Sequence, residues 1–178
     1  MKTEKRERDY KGWCDETKGW GAGPWDNEPD KAQWVDEATG LDCLAVRNMG
    51  GGFWCGYVGV PPGHPAHGKG YDDVAWADVH GGLTYADACR GPVCHIPELG
   101  RPNDVWWLGF DCGHVGDFSP SSNSFVGHPI MGKFHRELYD HELAKKIATA
   151  TQFHEVYKDF DFVKNECTNL AAQLKEMA

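Results

Sequence analysis

The sequence predicts an α+β fold. A mostly antiparallel sheet of about five strands, joined by long Gly- and Pro-rich loops, should carry C-terminal helices packed on it. Two observations lead there. The first is a break in composition. All 22 glycines lie between Gly12 and Gly132, all ten prolines between Pro24 and Pro129, and all eight tryptophans between Trp13 and Trp107. Glycine and proline punctuate turns, so strands and loops are expected up to about residue 132 and helices over residues 133–178. The second is a change of hydrophobic period, from near two in mid-chain to steps of three and four at the end.

Residues 1–22 come first. Seven charges crowd the first ten positions, and Lys-Gly-Trp occurs twice, at Lys11–Trp13 and Lys18–Trp20. This is expected to be a solvated arm preceding one domain over residues 23–178. Ala32–Asp36, Leu41–Arg47 and Phe53–Val60 are separated by the turn-like Glu37-Ala-Thr-Gly40 and Asn48-Met-Gly-Gly-Gly52, which predicts an antiparallel meander. A fourth strand is expected over Asp78–Tyr85 and a fifth over Val105–Cys112. In the fifth, Trp106, Leu108 and Phe110 alternate with Val105, Trp107 and Gly109, so both faces are apolar and the strand should be central. One helix is expected over Lys133–Thr149, with Phe134, Leu138 and Ile147 inward. A last helix carries the stripe Phe160, Val163, Cys167, Leu170, Ala171, Leu174 and Met177, with Asp159 as N-cap.

Composition narrows the function. A chain of 178 residues is long enough for one core. The formal net charge of −9 argues against general nucleic-acid binding, which relies on displacing counterions with lysine and arginine. No run approaches the apolar length of a membrane span, and the charged start lacks the apolar stretch of a secretory signal. Seven cysteines, an odd number without a Cys-x-x-Cys pair, are expected to be reduced thiols in a cytoplasmic protein.

The chemistry-bearing residues sit in loops and at strand ends. The loop Pro61–Asp73 offers His64, His67, Lys69, Tyr71, Asp72 and Asp73. Alternation on the expected fourth strand puts Asp78, His80, Gly82 and Thr84 on one face. The fifth strand runs into Asp111-Cys-Gly-His-Val-Gly-Asp117, where Cys112 and His114 share a face if the strand persists. Cys94 and His95 are expected on a short strand nearby. Trp54, Tyr57, Tyr71, Trp106 and Trp107 are either stacking surfaces or core. The glycine runs at Met49–Gly52 and Gly19–Pro24 lack the context of phosphate-binding loops and are turns.

Three kinds of chemistry fit these residues. His80, Cys112 and His114 match the donor types of a catalytic zinc, with Asp111, Asp117 or a loop aspartate as base on bound water. Cys112 with His80 or His95 as base would make a metal-free nucleophile pair. Binding without reaction needs only main-chain donors, aromatic walls and a few polar side chains.

The ordered set Gly23-Pro-Trp-Asp-Asn-Glu-Pro-Asp30, Cys55-Gly-Tyr-Val-Gly-Val60, Val79-His-Gly-Gly-Leu-Thr-Tyr85, Trp106-Trp-Leu-Gly-Phe-Asp-Cys-Gly-His114 and Phe162-Val-Lys-Asn-Glu-Cys167 resembles a family of small uncharacterised proteins from phages and bacteria. The resemblance implies a phage or prophage origin and an accessory role in the host cytoplasm; it brings no activity with it.

The leading expectation is one site that binds a small polar ligand, such as a nucleotide derivative, used to counter host defence by sequestration. Its residues would be His64, His67, Lys69, Tyr71, Asp72, Asp73, His80, Thr84, Asp111, His114 and Asp117. The alternative is a zinc-type hydrolase at the same place, with Asp111 and His80 as catalytic candidates and His80, Cys112 and His114 as ligands. A third reading is an acidic inhibitor that binds a basic host protein.

Overall fold

The computed structural model describes residues 5–7, 20, 23–95, 103–121 and 155–178. Among them are six strands and one long helix. The strands are β1 (Lys5–Glu7), β2 (Lys31–Val35), β3 (Asp42–Arg47), β4 (Trp54–Val60), β5 (Tyr85–Ala88) and β6 (Trp106–Asp111); the helix is α1 (Phe160–Met177). All pairings are antiparallel, in the order β1-β2-β3-β4-β6-β5. The α+β prediction holds, and β6 is central as its apolar faces require, between β4 and β5. The helix expected over Lys133–Thr149 lies outside the described residues.

The meander forms for the reasons its turns suggest. Asp36 accepts the Thr39 N–H and hydroxyl at 2.9 and 2.7 Å, and Gly40 completes the turn at φ 75°. Asn48 Oδ1 accepts the N–H groups of Gly50 and Gly51. Of the N-terminal segment, Lys5–Glu7 pair with the outer edge of β2, and Trp20 is buried against Gly52.

One expected strand is displaced. Asp78–Thr84 forms no strand; β5 starts only at Tyr85. Gly81 and Gly82 sit at φ 69° and 83°, the left-handed region, and Gly82 N–H closes a turn onto Val79 O at 2.9 Å. An alternating pattern is no strand when its middle residues turn the chain.

Each face of the sheet has its own core. On one face Trp34, Cys43, Ala45, Trp54, Val58, Leu108 and Phe110 meet Phe160, Val163, Cys167, Leu170, Ala171 and Leu174 of α1. Burying each large aliphatic or aromatic side chain contributes about 1.5–3 kcal/mol. Gly56 lets the helix close in, because a Cβ there would run into Phe110 and Cys167. Asp159 caps α1 by accepting the Phe162 N–H at 2.8 Å, as its position predicts. The opposite face carries Leu44, Val46, Tyr57 and Trp107, packed with Val93 and Val105.

That second face corrects the expectation of uniformly reduced thiols. Cys89 and Cys94 form a disulfide. Arg90 and Val93 exchange both backbone hydrogen bonds at 3.0 Å with Gly91 at φ 53°, so the chain doubles back and brings the two Cα atoms to 4.5 Å. Cys43, Cys55, Cys112 and Cys167 are free.

A buried polar knot ties the sheet to the start of α1. The Arg47 guanidinium, 2% exposed, meets Glu28 Oε2 at 2.9 Å and Asp30 Oδ1 at 3.4 Å. It also donates to Gly52 O and Tyr157 Oη and lies 4.3 Å above the Trp54 ring. Glu28 accepts further bonds from Trp54 Nε1, the Tyr157 hydroxyl and the Phe160 N–H. Burial alone would push Glu28 up. The hydrogen bonds from Tyr157, Phe160, Arg47 and Trp54 outweigh it and hold the carboxyl below its ordinary value. The Gly23–Asp30 motif is therefore a structural clamp that fixes where α1 begins.

Candidate functional site

The site lies where β6 runs out. Asp111 ends the strand; its Oδ1 accepts the Gly113 N–H at 3.0 Å and its Oδ2 the Thr84 hydroxyl at 2.9 Å. A tight turn follows. Asp117 N–H donates to His114 O at 2.9 Å, and Asp117 Oδ2 accepts the His114 N–H at 3.1 Å. Phe118 N–H donates to Val156 O and Val156 N–H to Gly116 O, so this turn is tied to the segment entering α1.

His80 arrives from the Val79–Gly82 turn. Its N–H donates to Glu166 Oε2 of α1 at 2.8 Å. A Cβ on Gly81 would collide with the His114 ring, so the glycine lets that imidazole lie against the backbone. The two imidazoles meet edge to face with centroids 5.5 Å apart, and Phe162 of α1 packs its ring at 5.3 Å from His80. The Lys158 ammonium stands 4.8 Å from the Phe162 ring centre.

The reactive atoms converge. His80 Nε2 lies 2.7 Å from Asp117 Oδ2. An ionised carboxylate only accepts, so this nitrogen carries the proton and donates it. His114 Nδ1 lies 3.6 Å from Asp117 Oδ2 and 3.8 Å from Asp111 Oδ1, and it is buried with no hydrogen-bond partner among the described residues. One ligand atom from each of His80, His114 and Asp117 falls within 4.8 Å of the others. Two imidazoles and a carboxylate suit zinc or another divalent first-row metal. Metal bonds of about 2.0–2.2 Å place neighbouring tetrahedral ligands about 3.3–3.6 Å apart. The His114–Asp117 edge is close to that. The His80–Asp117 edge, at 2.7 Å, would open by about 0.6–0.9 Å as a cation replaced the shared proton.

The structure thus brings together His80, Thr84, Asp111, His114 and Asp117. It leaves out the other expected residues. Cys112 is buried in the core under α1, where burial, then the charges of Asp117, Cys55 and Asp111, push its thiol up. Neither a metal ligand nor an activated nucleophile fits that setting. The strand stops at Asp111, so the alternation expected to align Cys112 with His114 does not continue, and Asp117 takes the third place in the cluster.

The loop over residues 61–73 braces the other end of the sheet. His64 Nδ1 accepts the Ala66 N–H, and its Nε2 meets Leu174 O at 3.0 Å. His67 Nε2 meets Asp104 O at 2.9 Å. Lys69 supplies its carbonyl to Trp106 Nε1, and Asp73 accepts the Gly70 N–H. Tyr71 and Asp72 face solvent. From Glu166 to Leu174 the helix rises about 12 Å. From Trp106 to Asp111 the strand advances about 16 Å. The loop residues and the histidine cluster therefore occupy opposite ends of the same two elements. Trp54, Tyr57 and Trp107 are core residues.

Sequence reading by itself missed Glu166 and Phe162 as neighbours of His80. Their signal is positional, since both flank the buried stripe of α1 and project from its rim. No family model, no curated protein and no solved structure matches this chain.

Proposed function

We propose that the protein holds a divalent cation of the zinc type on His80, His114 and Asp117 and uses it to bind a small polar ligand at the end of β6. The observation that carries this reading is the buried, unpartnered His114 Nδ1, which faces two carboxylates beside the His80–Asp117 pair. A cation there would satisfy that nitrogen and neutralise the facing acids. Asp111, partly exposed and next to the cluster, is the group positioned to take a proton from a bound water, which makes metal-assisted hydrolysis the reaction class. Phe162 and Thr84 offer an apolar wall and a hydroxyl for the ligand.

A second reading is capture of the ligand without metal or reaction. The 2.7 Å His80–Asp117 hydrogen bond favours it, because that pair is already satisfied. In the setting implied by the resemblance to phage proteins, either reading would remove a small host molecule, a nucleotide-derived signal being the natural target. The third reading, an acidic inhibitor of a host protein, finds no particular support in this site.

Isothermal titration with zinc, in the absence of reductant, tests the proposal. The protein should take up one zinc, and Asp117→Asn and His114→Ala should each weaken binding at least tenfold with the fold intact. Equal affinity in the protein and both variants would defeat it. Native mass spectrometry after exposure to nucleotide mixtures distinguishes metal-free capture, which would retain the ligand in the presence of a chelator.

A further inference from the structure

A second cluster lies on the opposite face of the sheet. Just past the end of β5, the Cys89–Cys94 turn delivers Cys89, Cys94 and His95 to one point, with one ligand atom from each within 4.8 Å of the others. His95 is only 3% exposed, and neither Nδ1 nor Nε2 has a hydrogen-bond partner among the described residues. An imidazole buried with both nitrogens idle is unfavourable, and such a group calls for a role. The surroundings suit a thiolate–metal centre. Trp107 Nε1 donates to Cys89 Sγ at 3.4 Å, and buried Lys31 donates to Cys94 O at 2.7 Å, placing a cation beside the turn.

We propose that reduction of the Cys89–Cys94 bond turns this cluster into a site for a thiophilic d10 cation of the zinc(II) type, bound by Cys89 Sγ, Cys94 Sγ and one nitrogen of His95. Thiolate and imidazole are the ligands zinc prefers, and three protein ligands leave its fourth position open. Zinc–sulfur bonds of about 2.3 Å require the two sulfurs to part to about 3.8 Å, a small opening for a four-residue turn. A dithiol reductant delivers two electrons and two protons to the disulfide and becomes a cyclic disulfide itself. The cation then displaces the two thiol protons. In the reverse direction a hydroperoxide takes two electrons from the bound thiolates. Their sulfurs join, the hydroperoxide becomes an alcohol and water with two protons from solvent, and the cation leaves. The site is thereby occupied only under reducing conditions.

Cobalt(II) is the direct probe, because a thiolate-to-cobalt charge-transfer band reports sulfur ligation and is silent for the histidine–aspartate cluster. The reduced full-length protein should develop that band at one cobalt per chain and lose it on adding equimolar zinc. The disulfide form should show none. Cys94→Ser and Cys89→Ser should abolish the band, and His95→Ala should weaken cobalt binding at least tenfold. Hydrogen peroxide should release the zinc from the reduced protein and restore the disulfide. The proposal falls if the reduced protein shows no band, if the band survives in both serine variants, or if reduction costs the chain its native circular dichroism.

Discussion

Replacing Glu28 by glutamine is expected to lower stability by about 3 kcal/mol. The size is conserved, so packing is not the issue. Arg47 is 2% exposed and depends on Glu28 at 2.9 Å, with Asp30 farther away at 3.4 Å. Removing one partner of a buried ion pair costs about 3–5 kcal/mol, and the remaining Asp30 places this case at the lower end. The amide also cannot match the donors around it. Arg47 and Trp54 point at Oε2 and the Phe160 N–H points at Oε1. Whichever way the glutamine turns, its NH2 meets at least one of these donors. Urea unfolding followed by tryptophan fluorescence is the assay. With a slope of about 2 kcal/mol per molar, the midpoint should fall by about 1.5 M. A fall below about 0.3 M would show that the knot contributes nothing net and that the clamp on α1 lies elsewhere.

Further outcomes follow from the same structure. Glu28 is held below its ordinary value of 4.5 in the fold, so its stabilising effect is complete above that value and is lost as pH falls through the lowered one. The midpoint difference between the protein and Glu28→Gln should hold steady from pH 7 to pH 5 and shrink below pH 4.5; a widening gap in acid would contradict the assignment. Gly81→Ala should reduce zinc affinity at His80, His114 and Asp117 at least tenfold, because a Cβ there displaces the His114 ring and a left-handed φ strains it. Titration calorimetry reads this directly, and unchanged affinity would refute the role given to that ring's position. Leu170→Ala should cost about 2–5 kcal/mol by opening a cavity between α1 and the sheet. A cost under about 1 kcal/mol, again by urea unfolding, would mean that the helix is loosely seated.

Legibility in the sequence followed physical range. The stripe from Phe160 to Leu174 and the cap at Asp159 are local signals with a fixed period, and α1 stands where they put it. The same holds for β2, β3, β4 and β6. His80, His114 and Asp117 are all recognisable as chemistry, but the place of Asp117 beside the two imidazoles, where Cys112 is the expected ligand, is not. That depended on β6 stopping at Asp111, and strand ends leave little trace in a pattern. Gly81 and Gly82 misled because alternation carries no information about the sign of φ. The 61–73 loop misled in another way. His64 and His67 are polar residues serving backbone carbonyls, and composition cannot distinguish that use from ligand binding. Glu28 and Arg47 lie on separate elements, and their pairing is a tertiary fact with no periodic signature.

The position of β6 between β4 and β5 also constrains how the chain assembles. Strands β2 to β4 can zip together through short turns, whereas β5 has no ladder partner among the described strands until β6, later in the chain, has docked on β4. The outer hairpin is therefore a late event that must await a long loop closure. In pulse-labelled hydrogen exchange, Ala45 and Tyr57, which pair with β2 and β3, should gain protection during refolding well before Asp87, and the β5 amides should become protected only together with those of β6.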